Sequence, residues 1–153
     1  ARPLGWSAGV EATAGAKVHG RGWVAATVRS GLPWGLDVTA FGWAGMGAGD
    51  SIPQRDFRLG GEKTLRGYPA GWFRGVSAWA LGIDLGLSHH TVSPVLFADA
   101  GQVAPRQLRF AGPPAASIGA GLSLLGGAVR IEAARPIAPR AQWRWSLVIG
   151  ARR

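Results

Sequence analysis

Val76-Ser77-Ala78-Trp79-Ala80-Leu81-Gly82-Ile83-Asp84-Leu85-Gly86-Leu87-Ser88-His89 is the stretch that decides the fold. Trp79, Leu81, Ile83, Leu85 and Leu87 alternate with Ala78, Ala80, Gly82, Asp84, Gly86 and Ser88. A period of two means a strand with one greasy face and one small or charged face. Ala116, Ile118, Ala120, Leu122 and Leu124 repeat the pattern against Ser117, Gly119, Gly121 and Ser123. Val129, Ile131 and Ala133 oppose Arg130 and Glu132, and Trp143, Trp145, Leu147 and Ile149 oppose Arg144, Ser146 and Val148. Upstream, Trp6, Ala8, Val10 and Ala12 oppose Ser7, Gly9, Glu11 and Thr13; Val24, Ala26 and Val28 oppose Thr27 and Arg29; Trp34, Leu36, Val38 and Ala40 oppose Asp37 and Thr39. With 92–101 added, the reading predicts about eight strands, over 4–13, 18–29, 34–45, 76–88, 92–101, 116–125, 128–135 and 142–150, each near the roughly 9–11 residues of a tilted membrane strand.

Outward from the strands, the connections fall into two alternating classes. The links at 31–33, 89–91 and 126–127 are tight, those at 46–75 and 101–115 are long, and 14–17 and 136–141 are short members of the second class. Short turns at one end and longer loops at the other are the habit of outer-membrane barrels, whose short turns face the periplasm. Composition agrees with an all-β chain: 25 Gly and 10 Pro in 153 residues disfavour a helical bundle, and the absence of Cys removes disulfide scaffolds, zinc fingers and thiol catalysis. No apolar run reaches the roughly 18 residues of a membrane helix, and Ala1-Arg2-Pro3-Leu4 carries no signal-peptide core. The net charge of +9 comes from Arg spread from Arg2 to Arg153 without a nucleic-acid-binding signature, so anionic lipid headgroups or a sugar-phosphate surface fit it as well as nucleic acid does.

The competing reading is a soluble eight-stranded barrel of lipocalin type, with the greasy face inward. Against it stand the opposite face, too rich in Gly, Ala and Ser for a solvated surface, and Trp residues near strand ends, as in an aromatic girdle. The expected fold is therefore a transmembrane antiparallel β-barrel forming one domain over 1–153. Its 46–75 loop is too long to be idle. Residues 58–75 mix Gly and Pro with Tyr68, Trp72, Phe73 and Arg66, a composition that orders against a partner surface. If the greasy faces look at lipid, Asp84 and Asp99 look into the lumen, and buried carboxylates need cations or donors. Arg66 is the candidate, because a guanidinium carries five donors and grips carboxylates bidentately.

Leu65-Arg66-Gly67-Tyr68 resembles the V/L-R-G-F/Y motif, and Phe97-Ala98-Asp99-Ala100-Gly101 resembles the F-x-D-x-G strand motif, of the BamA/TamA/two-partner-secretion superfamily of outer-membrane barrels (the bacterial surface antigen domain). Gly60-Gly61 before the Arg and Asp84 after the loop also match. The resemblance implies that Arg66 is held in the lumen by Asp99 and Asp84, locking the long loop inside the barrel, with Phe97 and Gly101 as the other members of the strand motif. Family members are normally sixteen-stranded with POTRA domains upstream, so the chain is expected to be the C-terminal half of such a barrel, a wider barrel completed by another copy or chain, or a small barrel with the loop outside. A departure is the chain end, where Trp143 to Gly150 is followed by Ala151-Arg152-Arg153 rather than a closing aromatic residue.

The expected function is that of an outer-membrane assembly factor that helps insert or translocate other proteins. A polypeptide-export pore and a passive anchor for an upstream domain are the alternatives. The expected partners are outer-membrane lipid and lipopolysaccharide, client polypeptides and the other barrel half or a second copy; nucleic acid, metal and cofactor are not expected. Nor is catalysis, because the adjacent His89-His90 point apart on a turn, and Ser88 beside His89 is likewise a turn.

Overall fold

The structure is a computed structural model that describes residues 5–13, 19–49, 56–87, 91–106 and 108–150. Its strands are β1 (Gly5–Thr13), β2 (His19–Gly31), β3 (Leu36–Gly49), β4 (Phe57–Leu59), β5 (Phe73–Gly75), β6 (Ser77–Leu87), β7 (Val92–Ala104), β8 (Ala115–Leu124), β9 (Val129–Pro136) and β10 (Arg144–Ile149). Eight of them form one antiparallel sheet in the order β1-β2-β3-β6-β7-β8-β9-β10, and β4 and β5 form a separate hairpin. The chain is all-β, as the alternation requires, and among the described residues 3-10 turns lie at Pro33–Gly35 and Leu125–Gly127.

The register turns the period of two into two unlike faces. Directly opposed residues point the same way, so Ala44↔Trp79 and Gly42↔Leu81 share one face while Gly82↔Asp99↔Ser117 share the other. The first face is bare: Val24, Val28, Leu81, Ile83, Leu85, Leu87, Leu96, Ile118, Leu122, Ile131, Trp145, Leu147 and Ile149 are all exposed on it. The second carries the small and charged residues, and the 56–76 loop lies across it. The greasy residues are thus on the outside of the covered sheet, the reverse of a lipocalin interior.

The loop brings its own core. Phe57, Leu59 and Leu65 are buried against Ala78 and Ala80 of β6, with Trp43, Tyr68, Phe73, Val103 and Ala115 packed around them. Phe57 meets the Trp43 ring edge-on at 5.3 Å, and Tyr68 meets Phe73 at 5.0 Å. Small residues on the wall make the room. A Cβ on Gly45 would lie 2.6 Å from the Phe57 ring, and one on Gly101 would lie 3.1 Å from Leu59.

Several expectations need correction. Residues 46–75 are not all loop: β3 runs on to Gly49, and β4 pairs with β5 inside the stretch. The alternation is invisible there because Gly45, Gly47 and Gly49 leave one face without side chains. Trp34 sits in phase with Leu36 but belongs to a turn at φ 62, followed by Gly35 at φ 74, and Pro33 ends the preceding extended run. Trp143 lies before β10, and β7 extends to Ala104. The sheet does not close on itself. Among the described residues β1 pairs with β2 alone and β10 with β9 alone. An eight-stranded barrel has an interior only wide enough for its own side chains, whereas here the loop's aromatic core is packed on the sheet's covered face. The 14–17 link, the His89-His90 pair and the 50–55 part of the loop lie outside the described residues.

Candidate functional site: an arginine bridging loop and wall

Residues 60–68 fold into a compact knob before they touch the sheet. Gly60 at φ 113 and Gly61 at φ 86 take backbone conformations that side-chain-bearing residues rarely adopt. The Thr64 hydroxyl accepts from the Gly60 N–H at 2.9 Å and donates back to its carbonyl at 3.2 Å. The Gly61 N–H donates to the carbonyls of Leu65 (3.1 Å) and Tyr68 (2.9 Å), and the Tyr68 N–H to that of Leu65 (3.0 Å). This winding drives Leu65, fully buried, into the loop core and turns its neighbour Arg66 onto the wall.

Arg66 then meets three strands. Its Nε donates to Asp99 Oδ2 at 2.8 Å, and its Nη2 donates to Asp99 Oδ1 at 2.6 Å and to Asp84 Oδ1 at 2.7 Å. Its backbone N–H also donates to Asp99 Oδ2, at 3.1 Å, so one carboxylate on β7 holds both main chain and side chain of the loop. Nη1 faces Glu132 Oε1 of β9 at 3.6 Å. Beneath, the Phe97 ring centroid lies 3.6 Å from the guanidinium carbon, a stacked cation–π contact. Phe97 lies flat because Gly119 is directly opposite; a Cβ there would collide with the ring. Gly67 has an equally strict role, since its Cβ would lie 2.7 Å from Ser117 Cβ and 2.8 Å from the Pro136 nitrogen. Tyr68 extends along the wall, its hydroxyl 3.5 Å from the Ala116 carbonyl, and burial pushes its phenol pKa up.

The bridge reaches one step further than Asp84 and Asp99. Arg130 Nη1 donates to Asp84 Oδ2 at 3.1 Å, and its Nη2 forms an ion pair with Glu132 Oε1 at 2.6 Å whose angle falls outside hydrogen-bond geometry. Ser117 Oγ donates to Asp99 Oδ2 at 3.4 Å. Three carboxylates therefore face two guanidinium groups, a net charge of −1. Burial alone disfavours the Arg66 charge, but its hydrogen bonds to Asp99 and Asp84, and their charges, outweigh that and hold its pKa above the ordinary arginine value.

Leu65, Arg66, Gly67, Tyr68, Asp84, Phe97, Asp99 and Gly101 thus lie together at the contact of loop and wall. Glu132, Arg130 and Ser117 join them without having been singled out in the sequence. Their signal was present: Arg130 and Glu132 share the phase that opposes Ile131, and Glu132 stands opposite Gly121 on the face that carries Asp84 and Asp99. In this arrangement the Ser117 hydroxyl donates to an Asp99 carboxylate that Arg66 already holds. Chemically it is a clamp, a multidentate ion pair that fixes the loop's angle to the sheet. No protein-family model matches the chain, and no curated protein sequence matches it.

Proposed function

We propose that this chain is half of an outer-membrane β-barrel belonging to an assembly factor that inserts or translocates other proteins. The observation that carries the reading is the folded loop bound by Arg66 to Asp99, Asp84 and Glu132 on one face of a sheet whose other face is exposed aliphatic surface. Exposed contiguous apolar surface of this kind is adverse in water and natural in lipid. A clamped loop on the opposite face suits a lumen, and the Leu65-to-Tyr68 and Phe97-to-Gly101 motifs resemble those of the BamA/TamA/two-partner-secretion superfamily.

In this reading the other barrel half, from the same polypeptide, a second copy or another chain, pairs with the free edges of β1 and β10, because unpaired strand edges are costly in hydrocarbon. The mechanism needs no covalent step. A seam that opens offers N–H and C=O groups to an incoming strand, which adds by β-augmentation. The clamp keeps the wall beside that seam in one shape.

The test is Arg66→Ala in the full-length protein, followed by heat-modifiability on gels and growth complementation in cells that depend on it. Loss of complementation with an inserted barrel supports the reading. Wild-type behaviour in both assays would remove the clamp from the function. Single-channel conductance separates an export pore, which conducts steadily and is opened further by the substitution, from an assembly factor.

A further inference from the structure

The bare face is uncharged along its strands, with one exception. Among the described residues of β2, β3 and β6–β10, Arg135 is the only charged side chain in the phase of that face, and it is exposed. It stands directly opposite Ile118, at the loop end of β9. Beside it opens a groove of about 440 Å³, mostly apolar, lined by Ile118, Arg135, Pro136, Ile137, Ala138 and Pro139. The exposed cations between strands fall at that same end: Arg106 and Arg109 follow β7 and Arg140 follows β9, whereas the described turn residues at 32–35, 91 and 125–128 carry no charge. A lone cation at the rim of an apolar surface, above an apolar groove and within an arginine-rich rim, is complementary to a ligand with an anionic head and a hydrocarbon tail.

We infer that Arg135 and the Ile118–Ile137 groove form a binding site for an anionic lipid, with the lipid phosphate on the guanidinium and the start of an acyl chain in the groove. The inference rests on the reading of the bare face as lipid-facing. A planar guanidinium takes a phosphate bidentately, and its aliphatic stem runs along apolar surface while the head reaches the headgroup layer. The site would seat one lipid at the loop end of the wall, where β9 and the free-edged β10 meet.

The test uses the full-length protein, with the other barrel half present, reconstituted into nanodiscs of phosphatidylcholine with or without phosphatidylglycerol. Native mass spectrometry then counts the lipids retained on extraction. The wild type is expected to retain one phosphatidylglycerol saturably, and Arg135→Gln to bind it on the order of tenfold more weakly, as for a lost hydrogen bond to a charged group. Arg58→Gln removes an equal charge from the exposed side of the β4–β5 hairpin and is expected to change nothing. Equal retention by wild type and Arg135→Gln, or equal retention of the two lipids, overturns the site while leaving the lipid-facing reading intact. Displacement by millimolar inorganic phosphate overturns the role of the groove, because only a headgroup would then be held. Failure of the wild type to enter nanodiscs of either composition overturns both inferences together.

Discussion

The two faces of the same sheet are built by opposite means. On the covered face specificity comes from a few polar atoms at close range: Arg66 reaches Asp99, Asp84 and Glu132 through a ring stack on Phe97, and Gly67 and Gly119 are there because nothing larger fits. On the bare face the side chains are mostly aliphatic, with Trp145 and Arg135 among them, and their common property is exposure. One face is tuned residue by residue, the other only in composition. Substitutions should therefore be punished on the first according to geometry, and on the second according to polarity and solvent.

Arg66→Ala gives the largest expected effect, since it leaves three carboxylates facing one another with only Arg130 to balance them. A loss of about 3–5 kcal/mol is expected for breaking such a buried pair from one side, read from urea unfolding of the folded protein in detergent and from new proteolytic cuts within 56–76. Arg66→Lys should recover only part of it, having a point charge in place of the fork. Leu65→Ala tests the neighbouring apolar anchor, where the side chain is fully buried. A cost of about 2–5 kcal/mol by the same unfolding assay is the range for an emptied core site. A cost near zero would mean that the clamp holds the loop without its core.

Ile83→Arg probes the other half of the comparison. In a bilayer a cation in mid-strand on the lipid face should cost about 2–4 kcal/mol, whereas on a water-facing surface the change should stay within about 0.5 kcal/mol. Measuring it in vesicles decides what the bare face meets. The smallest effect concerns Tyr68, the chain's single tyrosine. Burial raises its pKa, so the fold favours the neutral phenol; that contribution is whole below the unfolded value of about 10 and is lost as pH rises through the higher folded value. A near-ultraviolet difference titration should show a higher midpoint in the folded chain than in urea. Coincident midpoints would place the ring in water rather than against Phe73 and the wall.

Legibility in the sequence followed the size of the side chains. A strand such as β6, with Trp, Leu or Ile at every second position from Trp79 to Leu87, announces itself, whereas the end of β3, where glycine takes every second place from Gly45 to Gly49, pairs through its backbone and leaves no periodic trace. Asp84 and Asp99 stood out as charges on a face of small residues, and a nearby Arg-Gly-Tyr gave them a partner. Glu132 and Arg130 carry the same signal, but nothing along the chain says that β9 lies within reach of a loop some sixty residues earlier. Phe97 was legible as part of a motif, while its flat stack under Arg66 depends on Gly119 in the next strand.

Residue order alone thus dictated local matters: the period of two, the division of each strand into a greasy and a small face, and the presence of Gly60-Gly61 and Arg66 in a loop too rich to be idle. These are properties of neighbours one or two positions apart. Register, by contrast, is a relation between strands, and it decided that Gly119 faces Phe97, that Glu132 joins Asp84 and Asp99, and that Arg135 stands alone beside Ile118 on the bare face. The same holds for the sheet's edges: that β1 pairs with β2 alone and β10 with β9 alone among the described residues is a relation between distant strands, and it exists only once the chain has folded.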